Sequence, residues 1–162
     1  MKRSSKPVLF VDAGAGASGD MILGALVDLG VPLAKIRRAL QSLPIDGWTM
    51  RSRAVVSCAI AARTVDVRVR GKQPHRGWEA LTRVISQGDL APEVRRLSLA
   101  IFRRLIEAEA KVHGRAPDEI HLHEAGGTDA IIDVVGACVG LDHLAPRRVV
   151  VSPMTTGFGE VS

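Results

Sequence analysis

The stretch His-Leu-His-Glu-Ala-Gly-Gly-Thr-Asp-Ala-Ile-Ile-Asp, residues 121–133, holds two histidines and three carboxylates around a Gly-Gly turn. No other window of the chain is so dense in potential ligands. The alternation Ile120, His121, Leu122, His123 spells a short strand with both imidazoles on one face. After the turn a helix begins. Thr128 is its expected N-cap, Asp129 sits in the first turn where the helix dipole favours an anion, and Ile131, Ile132, Val134, Val135 and Val139 make an apolar face. Asp133 follows one turn after Asp129, which sets their β-carbons roughly 6 Å apart. Imidazole together with carboxylate selects zinc, nickel, iron or copper over hard cations such as calcium. The same residues also fit a half-exposed polar strand and an ordinary charged helix start, and the spacing does not choose between these readings.

Upstream, Val8 to Val11 reads as a buried strand with Asp12 at its carboxyl end. A glycine loop follows, Gly14-Ala15-Gly16-Ala17-Ser18-Gly19, and Asp20 to Leu26 opens a helix that Gly30 ends. The loop matches G-x-G-x-x-G, a pattern that lets backbone N–H groups approach a phosphate. A dinucleotide fold, however, needs a second strand ending in an acid about 20 residues on, whereas Leu33 to Leu40 reads as a second helix. Asp12 and Asp20 would also repel a pyrophosphate. The better reading is a tight loop that places Asp12, Ser18 and Asp20.

From Trp48 to Ile60 and from Val65 to Val69, alternating apolar residues predict an antiparallel hairpin turning near Ala61-Ala62-Arg63, with Cys58 a small buried hydrophobe. Residues 71–76 form a linker, Trp78 to Ile85 a helix, and Pro92 starts a long helix closed by Gly114. On that helix Leu97, Ile101, Leu105, Ala108 and Val112 are the expected buried face, Glu107 and Lys111 form an i,i+4 pair, and His113 complements the C-terminal dipole. Arg147 to Ser152 reads as a last strand. The order strand, two helices, hairpin, two helices, strand, helix, strand predicts a mixed α/β (α+β) fold: helices packed on a small mixed sheet in a single domain spanning residues 1–162.

Composition narrows the function classes. A chain of 162 residues with 46% hydrophobic and 24% charged residues is an ordinary globular domain. Cys58 and Cys138 belong to no Cys-x-x-Cys pair, so neither a zinc ribbon nor a disulfide framework is expected. No apolar run reaches the roughly 20 residues of a membrane span, and the apolar run behind the basic N-terminus is too short for a signal peptide. A cytoplasmic protein without a membrane partner is expected. The net charge of +5 is spread over arginine pairs, and tyrosine is absent, so stacking platforms for nucleic acid are scarce. Nucleic acid is not an expected partner.

Three blocks taken together resemble the N-terminal part of the LarC family, nickel insertion proteins of the nickel-pincer nucleotide cofactor. They are Asp12 to Leu26 (DAGAGASGDMILGAL), Phe102 to Gly114 (FRRLIEAEAKVHG), and His121 to Asp129 with Ile132 to Gly136. The resemblance implies nickel insertion into a pyridinium-3,5-bisthiocarboxylic acid mononucleotide, with one carbon–nickel and two sulfur–nickel bonds formed at the expense of CTP. It implies nickel, and CTP with magnesium or manganese, as the metal and cofactor. It further implies a proline-rich continuation and a C-terminal CTP-binding domain beyond Gly157-Phe158-Gly159, so the chain is expected to be an excerpt, one subunit of a split protein, or a remnant. A separately encoded C-terminal subunit and self-association as a homo-oligomer are the expected partners besides the mononucleotide. On this basis His121 and His123 are expected to hold nickel with Glu124 or Asp129. Asp12, Asp20 and Asp133 are the candidate catalytic carboxylates, and Gly14, Gly16, Ser18, Gly19 and Arg76 are expected to face the nucleotide. The alternative is a nucleotide- or metal-binding module without catalysis. One departure from the pattern is Gln73-Pro74-His75-Arg76, where relatives often carry a histidine-rich run.

Overall fold

A computed structural model describes residues 6–71, 74–123 and 125–154. Its centre is helix α5 (Thr128–Leu144), on which Ile131, Ile132, Val135, Cys138 and Val139 are buried. A helix apolar on nearly every side has to be enclosed. Helices α1 (Gly19–Asp28), α2 (Leu33–Gln41) and α4 (Pro92–His113) pack against it, and α3 (Trp78–Gln87) lies on α4.

Among the described residues the strands form three pairs. Strand β1 (Val8–Val11) runs parallel to β6 (Arg148–Val151), while β2 (Trp48–Ser57) with β3 (Ile60–Val69), and β4 (Arg76–Gly77) with β5 (His121–Leu122), are antiparallel. The mixed α/β class and the single core are as expected, with the strands divided among pairs. No helix among the described residues is long and apolar enough to cross a membrane.

Glycines set how closely α1 lies on α5. A Cβ at Gly136 would meet Leu23 at 2.8 Å, and one at Gly140 would meet Leu26 at 2.7 Å. A Cβ at Gly19 would fall inside the Asp133 carboxylate. Residues 19, 23 and 26 therefore face 133, 136 and 140 in the same order. The two helices run parallel, and their N-terminal ends lie together, with Gly19 level with the second turn of α5. On the other flank of α1, a Cβ at Gly24 would stand 2.6 Å from the Arg63 carbonyl oxygen of β3, so the hairpin is equally close.

Five expectations are corrected. The hairpin turns at Cys58-Ala59, not at residues 61–63, with φ of 49° and 64° and Ser57 paired to Ile60. The right-handed twist of the strands favours such a two-residue turn with positive φ, but no Asn-Gly or Asp-Gly marks it in the sequence. Cys58 is consequently exposed at the tip rather than buried. On α4 the buried row is Val94, Ser98, Phe102, Ile106 and Ala110, whereas Ile101, Leu105 and Val112 face outward. Both rows keep helical spacing, and the bulk of Phe102, fully enclosed, decides which one turns inward. Glu107 pairs with Arg103 at 2.9 Å rather than with Lys111, and the Arg103 guanidinium lies 5.3 Å from the Trp78 ring centroid. Finally, Thr128 is the first residue of α5, with Gly127 as the cap.

Because two L-residues occupy left-handed positions at the hairpin tip, Cys58→Asn combined with Ala59→Gly is expected to raise stability by about 1 kcal/mol. Urea unfolding measures it, and an unchanged or lower midpoint at constant m contradicts it.

Candidate functional site

The loop between β1 and α1 is held by short backbone and side-chain bonds. Asp12 Oδ1 accepts the Gly14 N–H at 3.1 Å, and the Gly16 N–H donates to the Ala13 carbonyl at 2.9 Å. Gly16 has φ of +93°, a conformation that side chains rarely adopt. Ser152, just past β6, donates its hydroxyl to Asp12 Oδ1 at 3.3 Å and accepts the Ala13 N–H at 2.8 Å. Asp12 is thus tied to both strand ends. Ser18 precedes α1 and its hydroxyl donates to Asp20 Oδ1, which also accepts the Met21 N–H.

The parallel run of α1 and α5 places Asp20 and Asp129, each in its helix's first turn, at the same end of the molecule as Asp133. Asp133 rests on Gly19, and its Oδ1 is buried with no hydrogen-bond partner among the described residues. Burial first, then the charges of Asp20 and Asp129, push the Asp133 carboxyl from 3.8 up to about 6. Near neutral pH this group can hold or release a proton, while the two helix N-termini offer positive potential to an anion beside it.

The histidines gather elsewhere. His121 and His123 are exposed on one side of β5, as the alternation predicts, with Leu122 buried between them. They line a cleft of about 340 Å³ with Glu109, His113, Arg115 and Glu119. His113 Nε2 lies 3.3 Å from Glu109 Oε1, and the His75 ring stands edge-on to His123 with centroids 4.8 Å apart. Sequence spacing did not reveal that His75 and His113 join the pair. They come from the linker and from the end of α4, brought to β5 by the β4–β5 pairing and by the packing of α4 on β5.

Arg76 is the link between the imidazoles and the acids. Its guanidinium donates to the Gly126 carbonyl at 2.8 Å and to Thr128 Oγ1 at 3.4 Å, fastening β4 to the turn that starts α5. Partial burial lowers its pKa, though arginine stays charged. A Cβ at Gly126 would collide with the Leu122 carbonyl oxygen, so this turn closes only with glycine. Among the described residues no three His, Cys, Asp or Glu side chains are arranged to hold a metal ion. Glu124, an expected nickel ligand, lies outside the described residues.

Two outcomes follow from this geometry. Because the folded-state pKa of Asp133 is raised, its contribution to stability is fully present below pH 3.8 and is lost as pH rises through about 6. Asp133→Asn should therefore gain on the parent protein as pH goes from 5 to 8, by about 1 kcal/mol once solvent screening is allowed for. Urea unfolding at the two pH values tests this, and a pH-independent difference refutes it. Gly19→Ala should cost about 1–3 kcal/mol through overpacking. Most of that cost should vanish in an Asp133→Ala background, whereas simple additivity in this double-mutant cycle would contradict the Gly19–Asp133 contact.

Comparison with known proteins places these features in one family. The family model described as nickel insertion protein matches residues 9–162. A protein of Nocardioides sp. named pyridinium-3,5-bisthiocarboxylic acid mononucleotide nickel insertion protein is 45% identical over 153 residues, covering 94% of this chain and 39% of that relative. A Syntrophotalea carbinolica protein is 46% identical over 154 residues, 95% of this chain and 39% of its own length. The chain thus spans about two-fifths of the length of these curated relatives. No solved structure matches it. A single model running from β1 through both acidic loops to the last residue, joined to this level of identity, shows that the chain belongs to the nickel insertion protein family.

Proposed function

We propose that this chain takes part in inserting nickel into a pyridinium-3,5-bisthiocarboxylic acid mononucleotide, the compound in the name of its Nocardioides relative. The observation that carries the reading is the side-by-side placement of the α1 and α5 N-termini, which brings the glycine loop, Asp20, Asp129 and Asp133 to one end of the domain. The loop of Gly14, Gly16, Ser18 and Gly19 takes the phosphate end of the substrate, where backbone N–H groups and helix dipoles favour an anion. Arg76 supplies the nearby positive charge.

Nickel is cargo in this reaction and has to be released. His121 and His123, with Glu124, hold it through donors of intermediate softness and then yield it to the thiocarboxylate sulfurs, which are softer. Forming the carbon–nickel bond replaces a ring C–H, and the freed proton passes to a carboxylate. Asp133 is that acceptor, with Asp12 and Asp20 fixing its surroundings. CTP, with magnesium or manganese, is consumed outside this chain, in a C-terminal part or subunit, and the assembly is a homo-oligomer acting in the cytoplasm. Two free thiols, Cys58 and Cys138, suit a reducing compartment.

Replacing His121 and His123 together by alanine, both exposed, at β5 and just after it, should weaken nickel(II) binding to this chain by at least about tenfold, or about 1.4 kcal/mol, with far-UV circular dichroism unchanged. Calorimetric titration reads the change. An unaltered dissociation constant removes the histidines from the nickel path.

A further inference from the structure

The parallel pair β1–β6 stands apart from the core. Apart from Arg148, all of its residues are apolar, namely Val8, Leu9, Phe10, Val11, Val149, Val150 and Val151. Yet none of them is buried, and none belongs to the core cluster. Phe10 is 62% exposed and Val151 54%. The register puts Leu9 and Val11 beside Val149 and Val151 on one face, and Val8 and Phe10 beside Val150 on the other. Both faces are therefore apolar and open. Parallel strands occur with both faces covered, and two strands alone are marginal in water. An exposed apolar sheet edge is also a template for further pairing.

The family's length says what covers it. The chain accounts for 39% of its Syntrophotalea and Nocardioides relatives, so about three-fifths of the family polypeptide lies outside the match. A second copy of this chain fits less well, because one two-fold contact covers one face or one edge and leaves the rest wet.

We propose that β1–β6 is the nucleus of a larger sheet completed by the part of the family polypeptide outside the matched region, which adds at least one strand to an edge and shields both faces. The carboxyl ends of the two strands carry Asp12 and Ser152, and α/β sheets place ligands beyond the carboxyl ends of their parallel strands. Completing the sheet would thus fix the Asp12 loop that leads into α1.

The test joins this chain at Ser162 to the uncovered part of the Nocardioides relative and follows amide exchange in β1 and β6, in the fusion and in the unfused chain. At least about tenfold slower exchange in the fusion supports the proposal, provided that Phe10→Ser with Val151→Ser restores fast exchange while α5 keeps its protection. Equal exchange in fused and unfused chains overturns it. So does protection in the unfused chain that rises with protein concentration, which would identify a second copy as the cover. Should the fusion be insoluble, co-expression with the tagged uncovered part decides the same question: co-purification that the double variant abolishes supports the proposal, and failure to co-purify the parent chain overturns it.

Discussion

The close approach of α1 to α5 is the constraint on which the rest of the structure depends. Gly19, Gly136 and Gly140 remove the side chains that would hold the two helices apart, and Leu23 and Leu26 fill the space so gained. Packing at this distance recovers many weak dispersion contacts along the seam. It also forces a parallel alignment, and with it the convergence of two helix N-termini. Burial of Asp133, and then the nearby charges of Asp20 and Asp129, raise its pKa. The core could be more stable without those charges, so their retention points to the chemistry at that end of the molecule.

The acids and the histidines occupy neighbouring but distinct places. Arg76 fastens β4 to Gly126 and Thr128, so the strand that carries His121 is coupled mechanically to the first turn of α5. Two chemical environments joined in this way suit the proposed reaction, in which a metal is held by imidazole and handed to a substrate anchored among backbone amides and carboxylates. The carboxyl ends of β1 and β6 meet at Asp12 and Ser152, where the loop leading into α1 begins.

Much of this was legible in the sequence. The 3.6-residue rhythm, Pro92 at one end and Gly114 at the other located α4, and the Gly-rich loop followed by Asp20 located the start of α1. The alternation around Leu122 placed both histidines on one face. Failures came where a local pattern had two solutions. Two adjacent apolar rows on α4 differ by a small rotation, and spacing cannot weigh Phe102 against Leu105. Turn residues that carry no glycine hid the hairpin tip at Cys58-Ala59. The grouping of His75 and His113 with His121 and His123, and of Asp20 with Asp133, depends on contacts between distant segments. Gly136 and Gly140 carry no sign of close packing as long as their neighbours are unknown.

The convergence of Asp20, Asp129 and Asp133 can be read directly by following the Asp133 side-chain carboxyl carbon by NMR across pH, in the parent protein and in Asp20→Asn. A midpoint near 6 is expected in the parent, with a clear downward shift in the variant. A parent midpoint in the ordinary aspartate range, or one that Asp20→Asn leaves in place, would contradict the shared acidic site.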